Sequence, residues 1–132
     1  ALRVGYTVAR KNIISIIERS RQPFNVGSLG LVGAQAALQD TSHVEKSRSL
    51  NASSKRELEA ALSKFKVEVY SSQGNFLLMD LKKPSAELFQ EFLRRGVILR
   101  PVANYGLKTH FRITCGLPEE NKKFLSALKE VL

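Results

Sequence analysis

Two arginines carry the clearest chemistry in this chain. Arg100 ends one predicted strand and Arg112 lies in the next, beyond a loop at Asn104-Tyr105-Gly106 that reverses direction. A guanidinium is a planar fork of N–H donors that stays charged and matches a phosphate or carboxylate through paired hydrogen bonds. Two such forks on neighbouring strands can converge on one anion, each charge-assisted bond contributing about 1.5–3 kcal/mol. On spacing alone, a pair of exposed strand arginines in a basic chain is the plainer reading. No other catalytic pattern competes with them. There is no Gly-x-Ser-x-Gly nucleophile turn, no phosphate-binding Gly-Lys-Ser/Thr loop and no dinucleotide fingerprint. His43 and His110 stand far apart, and no Cys/His cluster has metal-ligand spacing, so no metal is expected.

The elements that must position the arginines follow from hydrophobic periodicity. Val4, Tyr6 and Val8 alternate with smaller or polar neighbours, so residues 3–8 read as a short strand. Ile13, Ile14 and Ile17 recur at helical spacing over residues 11–21, and Pro23 ends that helix. Ser28 is placed to cap a second helix over residues 29–39. Gly30, Gly33, Ala34, Ala36 and Ala37 make it small-faced. Because a helical Gly costs about 1 kcal/mol against Ala, a close-packed neighbour is implied. Ser42 with Glu45, and Ser54 with Glu57, fit the Ser-x-x-Glu capping pattern, so residues 41–65 read as one long helix or two consecutive ones.

Beyond that point the period falls to two. Residues 67–70 predict a strand, and residues 75–81 an apolar strand buried on both faces. Pro84 and Ser85 open a helix with Leu88, Phe89, Phe92 and Leu93 inward, and Gly96 closes it. Residues 97–99 predict a third strand leading into Arg100-Pro101, and residues 110–114 a fourth. Pro118 starts a last helix, with Glu119 and Glu120 in its first turn and Phe124, Leu125 and Leu128 inward. The expected class is α/β. Residues 41–132 form an α+β-like small domain, a mostly antiparallel sheet with helices on one side, and residues 1–40, a strand and two helices, form the tail of another domain.

Composition narrows the possibilities. The chain has 132 residues and is 43% hydrophobic, enough to bury a core. No stretch approaches the roughly 20 apolar residues of a membrane helix, so no membrane partner is expected. The net charge is +9, yet Lys and Arg are spread along the chain, without an aromatic-basic RNA signature. Nucleic acid is therefore not the expected partner; a phosphorylated or carboxylate small molecule is. Cys115 is the single cysteine, which allows no internal disulfide and fits a cytoplasmic setting.

Three blocks follow one another: Leu99-Arg100-Pro101-Val102-Ala103-Asn104-Tyr105-Gly106-Leu107, then His110-Phe111-Arg112-Ile113-Thr114, then Gly116-Leu117-Pro118-Glu119-Glu120-Asn121. Together they resemble the C-terminal signature of the histidinol-phosphate aminotransferases. Leu2-Arg3-Val4-Gly5-Tyr6, Arg21-Gln22-Pro23-Phe24-Asn25-Val26 and Ser72-Gln73-Gly74-Asn75-Phe76 fit the same family in the same order, over nearly the whole chain. Gly27 and Lys108-Thr109 are peripheral departures.

The resemblance implies the C-terminal portion of a fold-type-I, class II transferase that works as a homodimer with pyridoxal 5'-phosphate. It implies that Arg112 binds the anionic end of the substrate, that Arg100 assists on the same group, and that Arg3 helps bind the cofactor phosphate. Phe24 and Asn25 would lie at the dimer interface near the neighbouring active site. Asn75 and Phe76 either border the substrate pocket or merely open a strand. The family's Schiff-base lysine lies upstream of the arginine matched by Arg3, farther than the two residues, Ala1 and Leu2, that precede it here. The expectation is a fragment that is inactive alone and binds no cofactor alone, with residues 1–40 weakly supported and residues 2–8 an edge strand or one paired with another copy. The full-length enzyme would move an amino group between glutamate and imidazole-acetol phosphate in histidine biosynthesis. The alternatives are a related enzyme with the same cofactor, an aromatic aminotransferase or a threonine-phosphate-type decarboxylase, and a non-enzymatic module that binds phosphate or nucleic acid.

Overall fold

Period-two alternation builds a four-stranded sheet within residues 46–132, one of two compact units into which the chain divides; the other is residues 1–45. The structure is a computed structural model and describes residues 2–132; Ala1 lies outside the described residues.

In the first unit, α1 (Lys11–Ser20) and α2 (Ser28–Gln39) form as the apolar spacing requires. Residues 3–8 form no strand, because no other strand runs beside them among the described residues of the unit. Leu2 and Val4 lie instead against the small-residue face of α2. A Cβ added to Gly30 would stand 3.0 Å from Val4 Cγ2, and one added to Gly33 would stand 2.9 Å from Leu2 Cδ1. This is the close approach that the glycines permit. Ser28 does not cap α2; it is the first helical residue, and Gly27 before it makes no side-chain cap.

The long helix α3 (Thr41–Leu62) is continuous. Its start is capped by Asp40, whose Oδ1 accepts from the His43 N–H at 2.9 Å and from the Ser42 hydroxyl at 3.0 Å. Ser42 is therefore a neighbour of the cap, not the cap, and Ser54 is a buried mid-helix residue rather than a second helix start. The helix ends at Leu62, so Phe65 packs against the core from the loop beyond it.

The strands of the second unit are β1 (Glu68–Tyr70), β2 (Phe76–Asp80), β3 (Arg100–Pro101) and β4 (His110–Thr114), ordered β1-β2-β4-β3 and antiparallel throughout. Helices α4 (Ser85–Arg94) and α5 (Pro118–Val131) complete it. Leu77, Met79, Phe111 and Ile113 point to one face and are buried with Leu58 and Leu62 of α3, Leu88 and Phe92 of α4, and Phe124 and Leu128 of α5. Phe92 anchors this core, edge-on to Phe111 at 5.9 Å and stacked on Phe124 at 6.3 Å between ring centres. The family of side chains on the other face of the sheet is less covered: Phe76 and Leu78 are half-buried, which corrects the expectation that β2 is buried on both faces. Leu93 is exposed, because Leu88 and Phe92 define the inward stripe of α4.

Residues 97–99 are not a strand. Gly96 takes a φ of +66°, and the Val97 N–H closes back onto the Phe92 carbonyl at 3.0 Å. That glycine-based helix ending holds the chain away from β4 until Arg100. The ladder between β3 and β4 accordingly has only two registered pairs, Arg100 with Arg112 and Pro101 with Phe111.

Candidate anion-binding site

Antiparallel register places side chains in rows across the sheet, and two adjacent rows of the less covered face have opposite electrostatic character. One row runs Glu68, Asp80, His110. The next runs Tyr70, Leu78, Arg112, Arg100.

The first row carries its own counter-ion, Lys82, which serves both of its carboxylates. Lys82 Nζ lies 2.7 Å from Glu68 Oε2 and 2.7 Å from Asp80 Oδ2. The Lys82 N–H donates to Asp80 Oδ1 at 2.8 Å. Lys82 holds a left-handed backbone, φ +57°, to serve both carboxylates. Burial pulls the Asp80 carboxyl upward, but hydrogen bonds from the Lys82 ammonium, the Thr109 hydroxyl and the Lys82 N–H outweigh it and bring the value down to about 2. The same contacts raise Lys82, led by its bond to Asp80. His110 closes the group, with Nε2 3.8 Å from Asp80 Oδ2 and its ring stacked on Tyr70 at 5.7 Å.

The second row is not neutralised. Arg100 and Arg112 are direct cross-strand partners. No ion pair joins either to an acidic side chain among the described residues. Arg112 is half-buried, with Cζ 4.9 Å from the centre of the Phe76 ring, a cation–π contact that restrains the guanidinium plane while leaving edge donors available. Two facing cations with no acidic partner repel one another, and an anion between them removes that repulsion.

Where residues 97–99 diverge from β4, a cavity of about 490 Å³ opens, bordered by Arg100, Arg112, Thr114, Asn121 and Phe124. Its one acid, Glu120, is already engaged, accepting from the Leu117 N–H at 2.7 Å at the start of α5. A second cavity of about 390 Å³ lies beside Asn51, Ser54 and Asn75, and shares Thr114, Gly116 and Glu120 with the first. Asn75 is exposed just before β2, and its carbonyl accepts from the Cys115 N–H at 2.9 Å. Cys115 itself is half-buried, and burial raises its thiol, which keeps it protonated.

The remaining sequence candidates belong to the first unit. Arg3 is exposed, adopts φ +55° and borders a cavity of about 380 Å³ with Tyr6, Gly30 and Gly33. Phe24 is fully exposed at φ +55°, and Asn25 accepts from Arg21 through Oδ1 at 3.0 Å. Among the described residues, no group of three or more His, Cys, Asp or Glu could hold a metal, and no helix is long and apolar enough to cross a membrane. Sequence reasoning missed Ser54 as a contact of the β4–α5 turn. Its hydroxyl donates to the Gly116 carbonyl at 2.8 Å, a link that local pattern cannot reveal.

Comparison with known proteins gives this geometry a context. A family model described as aminotransferase class I and II matches residues 1–128. The chain is 49% identical to histidinol-phosphate aminotransferase 2 of Pseudomonas fluorescens strain Pf-5, over all of its own length and 36% of that relative's. It thus spans about a third of the curated relatives it matches. The crystal structure of histidinol-phosphate aminotransferase from Clostridium acetobutylicum matches with a TM-score of 0.83 at 28% identity, covering 92% of this chain and 38% of that one. The enzyme of that name from Sinorhizobium meliloti, determined in complex with pyridoxal 5'-phosphate, shares the fold at a TM-score of 0.79 and 20% identity, covering 91% of this chain and 34% of that one.

Proposed function

The chain belongs to the class I and II aminotransferases, and on that premise we propose that it forms the substrate-anchoring part of a histidinol-phosphate aminotransferase. The observation that carries this is the direct pairing of Arg100 with Arg112 at the mouth of a cavity whose one acid is engaged. The pair receives the phosphate or carboxylate of the substrate, with Arg112 as the main fork, oriented by Phe76, and Arg100 as its partner. Asn75 lines the adjoining cavity, which shares Thr114 with the first.

Pyridoxal 5'-phosphate, when bound, supplies the electron sink that amino-group transfer requires. Arg3 fits its phosphate by donor chemistry, being an exposed guanidinium with no acidic partner among the described residues. The other residues act on the substrate by holding its charged end, which lowers the entropic cost of bringing the reacting amino group into place. We place Phe24 and Asn25 at a homodimer interface beside the neighbouring active site; the complete exposure of Phe24 supports this. None of these 132 residues is assigned as the lysine that links covalently to the cofactor, so this polypeptide alone does not transaminate.

Reading the coding sequence upstream of Ala1 and assaying the extended protein test this directly. An upstream lysine in an apolar, small-residue stretch, with amino transfer from histidinol phosphate to 2-oxoglutarate by the extended protein and none by the 132-residue chain, is the expected result. An unrelated upstream sequence, or transfer by the 132-residue chain, contradicts it.

A further inference from the structure

The end of β4 is supported unequally on its two sides. Toward β2 the ladder is complete: Thr114 pairs with Phe76, and the Cys115 N–H reaches the Asn75 carbonyl. Toward β3 it stops at Arg112, because residues 97–99 diverge around the cavity. Beyond Arg112 that side of the strand has no neighbouring strand to fix it.

A buried polar clamp holds the chain just beyond the end of β4. Asn121 Nδ2 donates to Ser54 Oγ at 2.8 Å and to the Gly116 carbonyl at 3.3 Å. The Ser54 hydroxyl donates to the same carbonyl at 2.8 Å. The Gly116 N–H donates to Asn121 Oδ1 at 3.1 Å. Both backbone groups of Gly116 are thereby committed, and α3, the β4–α5 turn and α5 meet at one point. Ser54 is 5% and Asn121 8% exposed, so the bond between them is shielded from competing water. Gly116 and Asn121 also border the cavity that Arg100 and Arg112 share.

We infer that Ser54 and Asn121 are positioning residues for the arginine pair: they hold the end of β4, and so the Arg112 fork, in register with Arg100 and keep the cavity between residues 97–99 and β4 open. This rests on the anion-binding reading of that pair. Loosening the clamp lets the strand end shift toward the unpaired side, and a bidentate fork tolerates little displacement.

The experiment is a titration of the 132-residue chain with inorganic phosphate, followed by amide and side-chain NMR, for wild type, Ser54→Ala, Ser54→Thr, Arg112→Ala and Leu88→Ala. Leu88→Ala weakens the core at a residue that does not border the cavity and serves as the control for stability alone. Ser54→Ala is expected to weaken phosphate binding about fivefold, the equivalent of one modest hydrogen bond. Ser54→Thr, which keeps the hydroxyl, and Leu88→Ala are expected to bind as wild type does. In wild type, the Gly116 amide and the Asn121 side-chain amide shift together with the Arg112 resonances, a readout independent of how any variant folds. Binding lost in Arg112→Ala but unchanged in Ser54→Ala, with the Gly116 and Asn121 signals silent, overturns the inference and leaves the arginine reading intact. Equal weakening in Ser54→Ala and Leu88→Ala also overturns it, by assigning the effect to stability. A wild-type chain that binds no phosphate overturns both.

Discussion

Arg112 and Arg100 are registered partners across the two-pair ladder of β3 and β4, and no described acid neutralises either. Like charges placed directly opposite cost stability, up to about 1 kcal/mol. Arg100→Ala is therefore expected to leave the thermal midpoint of the chain unchanged or to raise it at low ionic strength. Added salt screens the repulsion and shrinks the difference. Thermal unfolding at low and high salt is the check; a midpoint that falls by several degrees would show that Arg100 has a structural role instead.

Asp80 gives the domain an acid-sensitive joint. Its ordinary value is 3.8, and in the fold it is held at about 2 by Lys82 and Thr109 against the opposing effect of burial. A carboxyl whose folded value is depressed stabilises the fold above its unfolded value and loses that contribution as pH falls through the folded one. Stability should thus drop between about pH 4 and about pH 2. Asp80→Asn should remove this part of the pH dependence and destabilise the fold at neutral pH, because Lys82 then keeps only Glu68 as a charged partner. Urea midpoints measured at neutral pH, at pH 4 and at pH 2 decide; the same slope in wild type and variant would exclude Asp80 as the source.

Phe92 is fully buried between Phe111 and Phe124 and couples α4 to the sheet and to α5. Phe92→Ala should cost about 3–5 kcal/mol. Chemical denaturation followed by circular dichroism measures it. A loss below about 1 kcal/mol would mean that the core closes over the vacancy, contrary to the close packing of such interiors.

The elements that local chemistry specifies were legible in the sequence. His110 to Thr114 alternates over one strand, and Pro118 with Glu119 and Glu120 marks the start of α5. The resemblance of the motifs identified the family. What the sequence could not show depends on distant partners. The Ser-x-x-Glu pattern pointed to Ser54 as a helix cap, whereas its hydroxyl serves a turn on the far side of the sequence. Val97, Ile98 and Leu99 have strand propensity, but the glycine-based ending of α4 directs their backbone away from β4. Residues 3–8 alternate as a strand should and find no strand beside them among the described residues. Arg100 and Arg112 were singled out by type, but their register as direct partners is a property of the folded sheet.

The most direct test of the central claim compares the affinity of this chain for histidinol phosphate with that for histidinol by calorimetry. The arginine pair predicts a preference of about ten- to a hundredfold for the phosphorylated compound, corresponding to one or two charge-assisted hydrogen bonds, and its loss in Arg112→Ala. Equal affinity for the two compounds, or a preference that survives Arg112→Ala, would contradict it.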